Sequence, residues 1–236
     1  PARCVLLTGK NLAHSQVRGN KEYKRKGTQF GGQHPLKENT VTIAKVLKKH
    51  GYTNGVFGKW GLGHSSTSGS PMKQGFDRFY GYNCQRNAHS YYPRYLDSDE
   101  KEVVINKNPI PGHKRQNKGE VKAETYRAEN YAPDLILDEA LKFIDQNKDK
   151  PFFLYLPFVE PHVAIQGPQK WIDIYPKSWD KKPYRGGRSY LPHPRPRAAY
   201  AAMITDLDEH VGSILARLKK YNLDKNTIVI FTSDNG

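Results

Sequence analysis

A chain of 236 residues with 36% apolar and 11% aromatic content can bury one large core or two small ones. No apolar run approaches the roughly 20 residues of a membrane-spanning helix, and two cysteines, Cys4 and Cys84, make neither a disulfide framework nor a zinc site. The formal net charge of +15 is concentrated between Lys177 and Arg197, where seven Lys/Arg stand against the single acidic Asp180. Such a field favours an anionic partner, or is a solvated basic loop; with no zinc-finger spacing or RNA-recognition motif beside it, nucleic acid is not expected as a partner.

The opening PARCVLLTGK has neither an initiator Met nor a signal-like leader, and TIVIFTSDNG at the other end is an apolar run entering a polar turn. Both ends read as cuts, so the chain is expected to be a fragment, incomplete at both ends. NTVTIAKVLKKHG predicts a helix capped by Asn39 or Thr40, with Ile43, Val46 and Leu47 on its buried side and Gly51 as its stop. YTNGVFGKW predicts a short strand ending in a glycine turn. Residues 65–130, rich in Gly, Pro, Asn and Tyr, read as a long loop excursion. APDLILDEALKFIDQN predicts a second helix, capped by Asp134 and burying Ile136, Leu137, Ala140, Leu141 and Ile144.

After Pro151, FFLYLPFV is apolar enough for a strand covered on both faces, and it ends at Glu160-Pro161-His162. A second, basic excursion spans 167–196. RAAYAAMITDLDEHVGSILARLKKYN then predicts a long helix with Ala199, Met203, Leu207, Ile214 and Leu218 at helical spacing, and TIVIF a wholly apolar strand. This alternation implies an α/β fold with a largely parallel central sheet and helices on both faces.

Three polar clusters sit where a buried strand ends: Gly58-Lys59-Trp60, Glu160-Pro161-His162 and Ser233-Asp234-Asn235-Gly236. The carboxyl ends of parallel strands share one edge of a sheet, so clusters far apart in sequence can converge there. Singly, each has an ordinary structural reading as a turn, a Lys stem packed on a ring, or a hydrogen-bonded His. Together they are chemically coherent. Asp and Asn oxygens suit calcium or magnesium, Lys and Arg hold a tetrahedral oxyanion, and His can protonate a leaving oxygen. The set points to hydrolysis of an anionic ester.

The same segments, in the same order, resemble the sulfatase family. PARCVLLTG is similar to that family's C-x-P-x-R signature from the Pro onward, GYTNGVFGKWGLG to its G-K-W block, and PFFLYLPFVEPH to its apolar strand ending in His. YAAMITDLDEHVGSIL and IVIFTSDNG resemble its helix and metal strand. The resemblance spans almost the whole chain. It implies a fold similar to alkaline phosphatase, with 1–236 the central part of a catalytic domain. It also implies hydrolysis of sulfate esters, arylsulfatase-like and extending to sulfated polysaccharides.

In such an enzyme the nucleophile is a formylglycine, made from a Cys or Ser by a formylglycine-generating enzyme, and it would lie two residues before Pro1. The resemblance gives Arg3 the task of steadying formylglycine and sulfate, and Lys59 that of bridging them. His162 would bind sulfate or assist the leaving alcohol. Asp234 and Asn235 would supply part of a calcium (or magnesium) shell completed by upstream aspartates, and Lys10 is a further candidate. The fragment alone is expected to be inactive. A periplasmic or secreted location is implied by the family only.

Cys4 is followed by Val-Leu-Leu-Thr and is read as a buried residue of the helix that the signature begins. Position 61 is Gly where many sulfatases carry a site His, which leaves a branch difference or substitution by His64 or another His. GYNCQRNAHSYYPRYL resembles a loop of bacterial arylsulfatase-like members: Arg86 and His89 suit a sugar or sulfate, and Tyr91, Tyr92 and Tyr95 a ring, while a Tyr-rich loop packing on its own domain explains the stretch equally well. His14 and Arg18 are spaced for one helical turn or for capping. Two other functions stand beside the sulfatase reading: a phosphoesterase of the same superfold, and a non-catalytic polyanion-binding module held by the basic loops.

Overall fold

The computed structural model describes residues 1–20, 22, 33–108, 110–111, 114–187 and 190–234. Three strands run parallel: β1 (Thr53–Lys59) lies between β2 (Arg78–Tyr82) and β5 (Phe152–Tyr155). On the far side of β2, β3 (Tyr95–Ser98) and β4 (Lys101–Val104) add antiparallel, giving the order β4-β3-β2-β1-β5. The expected parallel sheet is therefore the core of a mixed one.

Successive strand side chains point to opposite faces, and this alternation sorts the core. Val56, Phe79, Phe153 and Tyr155 pack with Trp60 and Phe76 against Cys4 and Leu7 of α1 (Ala2–Thr8) and Ala44 of α2 (Ile43–Lys49). Their neighbours Phe57, Tyr80, Tyr82, Phe152 and Leu154 face the other way. They meet Ile136, Ala140 and Ile144 of α3 (Ala132–Asn147) and Met203, Ile214 and Leu218 of α5 (Pro196–Lys220). Helices thus cover both faces, as an α/β sheet requires. A smaller cluster joins Ile172 of α4 (Gln169–Ile172) to Ala198, Ala199 and Ala202 of α5. Among the described residues no helix is long and apolar enough to cross a membrane.

Several local expectations change. The cap of α2 is Thr42, whose Oγ1 accepts from the Lys45 N–H at 3.2 Å. Its buried contact is Ala44, while Ile43 and Val46 are 43% and 42% exposed. The α2 backbone is held close to β1 there: the Asn54 amide, completely buried, donates to Ala44 O at 2.8 Å and Gly75 O at 2.9 Å. Asp134 lies in the first turn of α3 but caps nothing there, since Tyr131 holds the cap position; its carboxylate reaches His210 instead. Leu207 is only partly buried.

The stretch 65–130 is less of a loop than its composition suggests, because β2, β3 and β4 fall within it. Strand β5 is half-buried along its length, as an edge strand is. TIVIF forms no strand. Among the described residues nothing pairs with it, and Ile228, Ile230 and Phe231 are 90%, 80% and 71% exposed. Apolar β-branched composition identifies a segment that suits a sheet, but a ladder also needs a neighbour. His14 and Arg18 lie in irregular chain, where Arg18 Nε donates to Ser15 O at 3.2 Å, so the capping reading applies to Arg18.

The Asn54 strap carries a measurable load. Asn54→Ala leaves two buried carbonyls without their donor, and urea denaturation should register a loss of about 1–3 kcal/mol. An unchanged midpoint would show that water replaces the amide.

Candidate active site

The three parallel strands end at one edge and interlock there. Lys59, last in β1, is in register with Tyr82, last in β2. The Lys59 N–H donates to Pro157 O beyond β5 at 2.8 Å, Trp60 N–H to Tyr82 O at 2.9 Å and Gly61 N–H to Asn83 O at 3.0 Å. Gly58 makes this possible: its φ is +133°, and a Cβ there would lie 2.3 Å from Pro157 O. The result leaves Lys59 only 8% exposed.

Arg3 comes from the first turn of α1, and its Nε donates to Trp60 O at 2.7 Å. A Cβ at Gly61, whose φ is +65°, would fall 2.9 Å from Arg3 Nη2 and 2.7 Å from Gln85 Cγ. A side chain at position 61 is therefore incompatible with this placement of Arg3. His64 Nδ1 lies 3.0 Å from Ser66 Oγ, with Glu102 as a charged neighbour. The imidazole beside His162 is that of His89, whose ring stacks on it with centroids 5.2 Å apart and planes 17° from parallel. The His162 backbone is fixed from both sides: its N–H donates to Val159 O at 2.9 Å, and the buried Tyr91 hydroxyl donates to His162 O at 2.7 Å.

Burial, then repulsion from Arg3, pushes the Lys59 amine down to about 8, with Asp234 pulling the other way. Burial also lowers Arg3, opposed by Tyr155 and Asp234. His162 is lowered by burial and next by Lys59. Burial raises the Tyr155 phenol to about 12, so it remains a neutral hydroxyl beside Arg3. Two positive charges and an imidazole thus sit in a poorly hydrated place, with Asp234 acting on all three. An anion bound there would offset a cost that water does not.

Asp234 offers a hard carboxylate oxygen of the kind calcium or magnesium takes, while Asn235 lies outside the described residues. Lys10 is exposed beyond the far end of α1, roughly 10 Å along the helix axis from Arg3. Arg86 is exposed and ion-paired with Glu22 at 2.7 Å. Elsewhere, Arg115, Lys182, Tyr184 and Arg185 line an open cleft of about 500 Å³. Two features went unread in the sequence: the stacking of His89 on His162, and a polar set on α3 and α5 in which exposed Asp134 meets buried Asp206 and His210. The second left one signal, an Asp and a His four apart in the long helix.

A sequence model described as Sulfatase matches residues 1–236. N-acetylgalactosamine-6-sulfatase of Mus musculus is 29% identical over 247 aligned residues, which cover 100% of this chain and 41% of the mouse protein. The chain thus spans about two fifths of the length of such curated relatives. A Bacteroides fragilis protein solved as a candidate sulfatase superposes with a TM-score of 0.68 at 24% identity, covering 99% of this chain and 51% of that one. The structure of BT4656 in complex with its substrate, D-glucosamine-2-N,6-O-disulfate, superposes with a TM-score of 0.62 at 19% identity, covering 96% and 53%. At these identities the solved structures show a shared α/β fold. Matched along its whole length by the family's sequence pattern, the chain belongs to the sulfatase family.

Proposed function

We propose that the protein of which this chain is part hydrolyses sulfate esters at the edge formed by β1, β2 and β5. The observation that carries this reading is the convergence of Arg3, Lys59 and His162 in one desolvated, positively charged place. Arg3 and Lys59 hold the non-bridging sulfate oxygens by charge-assisted hydrogen bonds. His162 is kept neutral by burial and by Lys59 while no anion is bound. An arriving anion offsets that repulsion, so the imidazole gains its proton in the complex and can pass it to the departing alkoxide. His89 backs the His162 ring and fixes its plane.

A formylglycine encoded upstream of Pro1 supplies the nucleophile when present, generated by a dedicated modifying enzyme. Asp234, with Asn235, contributes to a calcium or magnesium shell whose charge is complementary to sulfate. A sulfated glycan is the favoured substrate class. The mouse relative's name and the disulfated glucosamine bound by BT4656 support that class, as does the basic cleft around Lys182 and Arg185. Periplasmic or extracellular residence follows as part of the same proposal.

In the full-length protein, Lys59→Met should lower kcat/KM for an aryl sulfate by about 10²–10³, the usual cost of losing one oxyanion donor. Turnover at the wild-type rate would refute the role of Lys59.

The same substitution should make the chain more stable. Below pH 8 both folded and unfolded states carry the proton and the full burial cost is present; a shift from 10.5 to about 8 corresponds to about 3 kcal/mol. From pH 8 towards 10.5 the unfolded state binds a proton that the folded state lacks. Wild-type stability therefore rises, and the advantage of Lys59→Met shrinks. Urea denaturation at pH 7 and pH 10 checks this; a variant less stable than wild type at pH 7 contradicts it.

A further inference from the structure

Away from the strand edge, α3 and α5 face each other across polar groups that ester hydrolysis does not use. Asp206 and His210 lie four residues apart on α5, 1% and 3% exposed, and Asp134 comes from the first turn of α3. His210 Nε2 is 3.2 Å from Asp134 Oδ1 and 3.8 Å from Asp206 Oδ2. On the other side of the ring, Nδ1 is 3.8 Å from Oε1 of Glu160, itself 7% exposed.

This interior is unsatisfied. Glu160 Oε1, His210 Nδ1 and the Tyr131 hydroxyl are buried without a hydrogen-bond partner, and the two Asp206 carboxylate oxygens have no well-formed one, only a weak pull from the Trp171 indole N–H. The nearby ammonium of Lys170 is engaged elsewhere, 2.6 Å from Glu209 and 4.9 Å above the Trp171 ring. Buried carboxylates are rarely left in this condition, and orphaned polar atoms gathered in one place call for a missing partner.

We propose that Asp134, Asp206 and His210 bind one divalent transition-metal cation of the zinc class, at a site separate from Asp234. One donor atom from each of the three lies within 4.8 Å of the others. Tetrahedral zinc with bonds of about 2.0–2.1 Å sets neighbouring ligands about 3.3 Å apart, so the 3.2 Å spacing from His210 Nε2 to Asp134 already fits and the 3.8 Å spacing to Asp206 needs a contraction of about half an ångström. One imidazole with two carboxylates suits zinc or manganese, whereas calcium favours an all-oxygen shell. Glu160 stands where a carboxylate orients a metal-bound imidazole through its other nitrogen. The Asp134 side chain is 64% exposed, which leaves an entry path and room for a water ligand.

An ion at this position would join α3 to α5 beside Glu160. The inference does not rest on sulfate chemistry. It is tested by titrating metal-free full-length protein with zinc chloride, following bound metal and Tm, with cobalt(II) as a spectroscopic probe. We expect one zinc per chain at this site, a rise in Tm and a tetrahedral cobalt absorption band. Affinity should fall at least tenfold in His210→Gln and in Asp134→Asn, a substitution at an exposed side chain that spares the core. Asp234→Asn should retain it, and excess calcium should not displace it. Equal zinc binding by wild type, Asp134→Asn and His210→Gln would overturn the proposal, as would displacement by calcium or the absence of any zinc-dependent rise in Tm.

Discussion

Two positive charges, Arg3 and Lys59, are held out of water at one edge of the sheet, and much of the surrounding structure keeps them there. Arg3 donates to a backbone carbonyl, that of Trp60, and Asp234 exerts an electrostatic pull on both. The arrangement persists because the backbone leaves no freedom. The ends of β1 and β2 and the chain following β5 are stitched by hydrogen bonds of 2.8–3.0 Å, and Trp60 is anchored by its indole N–H to Gly69 O and by an edge-on contact with Phe76. Glycines at 58 and 61 clear the space for the Pro157 carbonyl and the Arg3 guanidinium.

This is a trade of stability for binding. Desolvated cations cost free energy in the ligand-free chain, and an anion recovers part of it on arrival. Burial, and next the Lys59 charge, lowers His162, and under the proposed reaction a bound anion would relax the second effect. Gly61 fits this arrangement: a Cβ there would fall 2.9 Å from Arg3 Nη2, and the imidazole beside His162 is that of His89, from the chain after β2.

Much of this was legible in the sequence. Strand β1 and helices α3 and α5 announce themselves because a buried face imposes a period, and Lys59 and His162 stand out because each ends an apolar run. What stayed hidden depends on contacts between distant segments. Strands β2 to β4 are only four or five residues long, and β2 is built on Tyr, Phe and Gly, a composition shared with loops. Ile43 and Val46 follow the helical period yet are 43% and 42% exposed, while Ala44 is the buried residue of α2, its carbonyl held by the Asn54 amide. TIVIF has strand composition without a neighbour among the described residues. The stacking of His89 on His162, 73 positions apart in the chain, and the facing of Asp134 by His210 exist only once the sheet and helices are assembled.

The central claim is that Lys59, charged and desolvated beside Arg3, makes this edge an oxyanion site. Its most direct test is the affinity of the full-length protein for inorganic sulfate, measured calorimetrically from pH 7 to pH 9.5. Affinity should fall as pH rises through about 8, where the Lys59 amine loses its proton, and this fall should vanish in Lys59→Met. A sulfate affinity that stays flat across the range, or one that falls identically in the variant, would contradict the account.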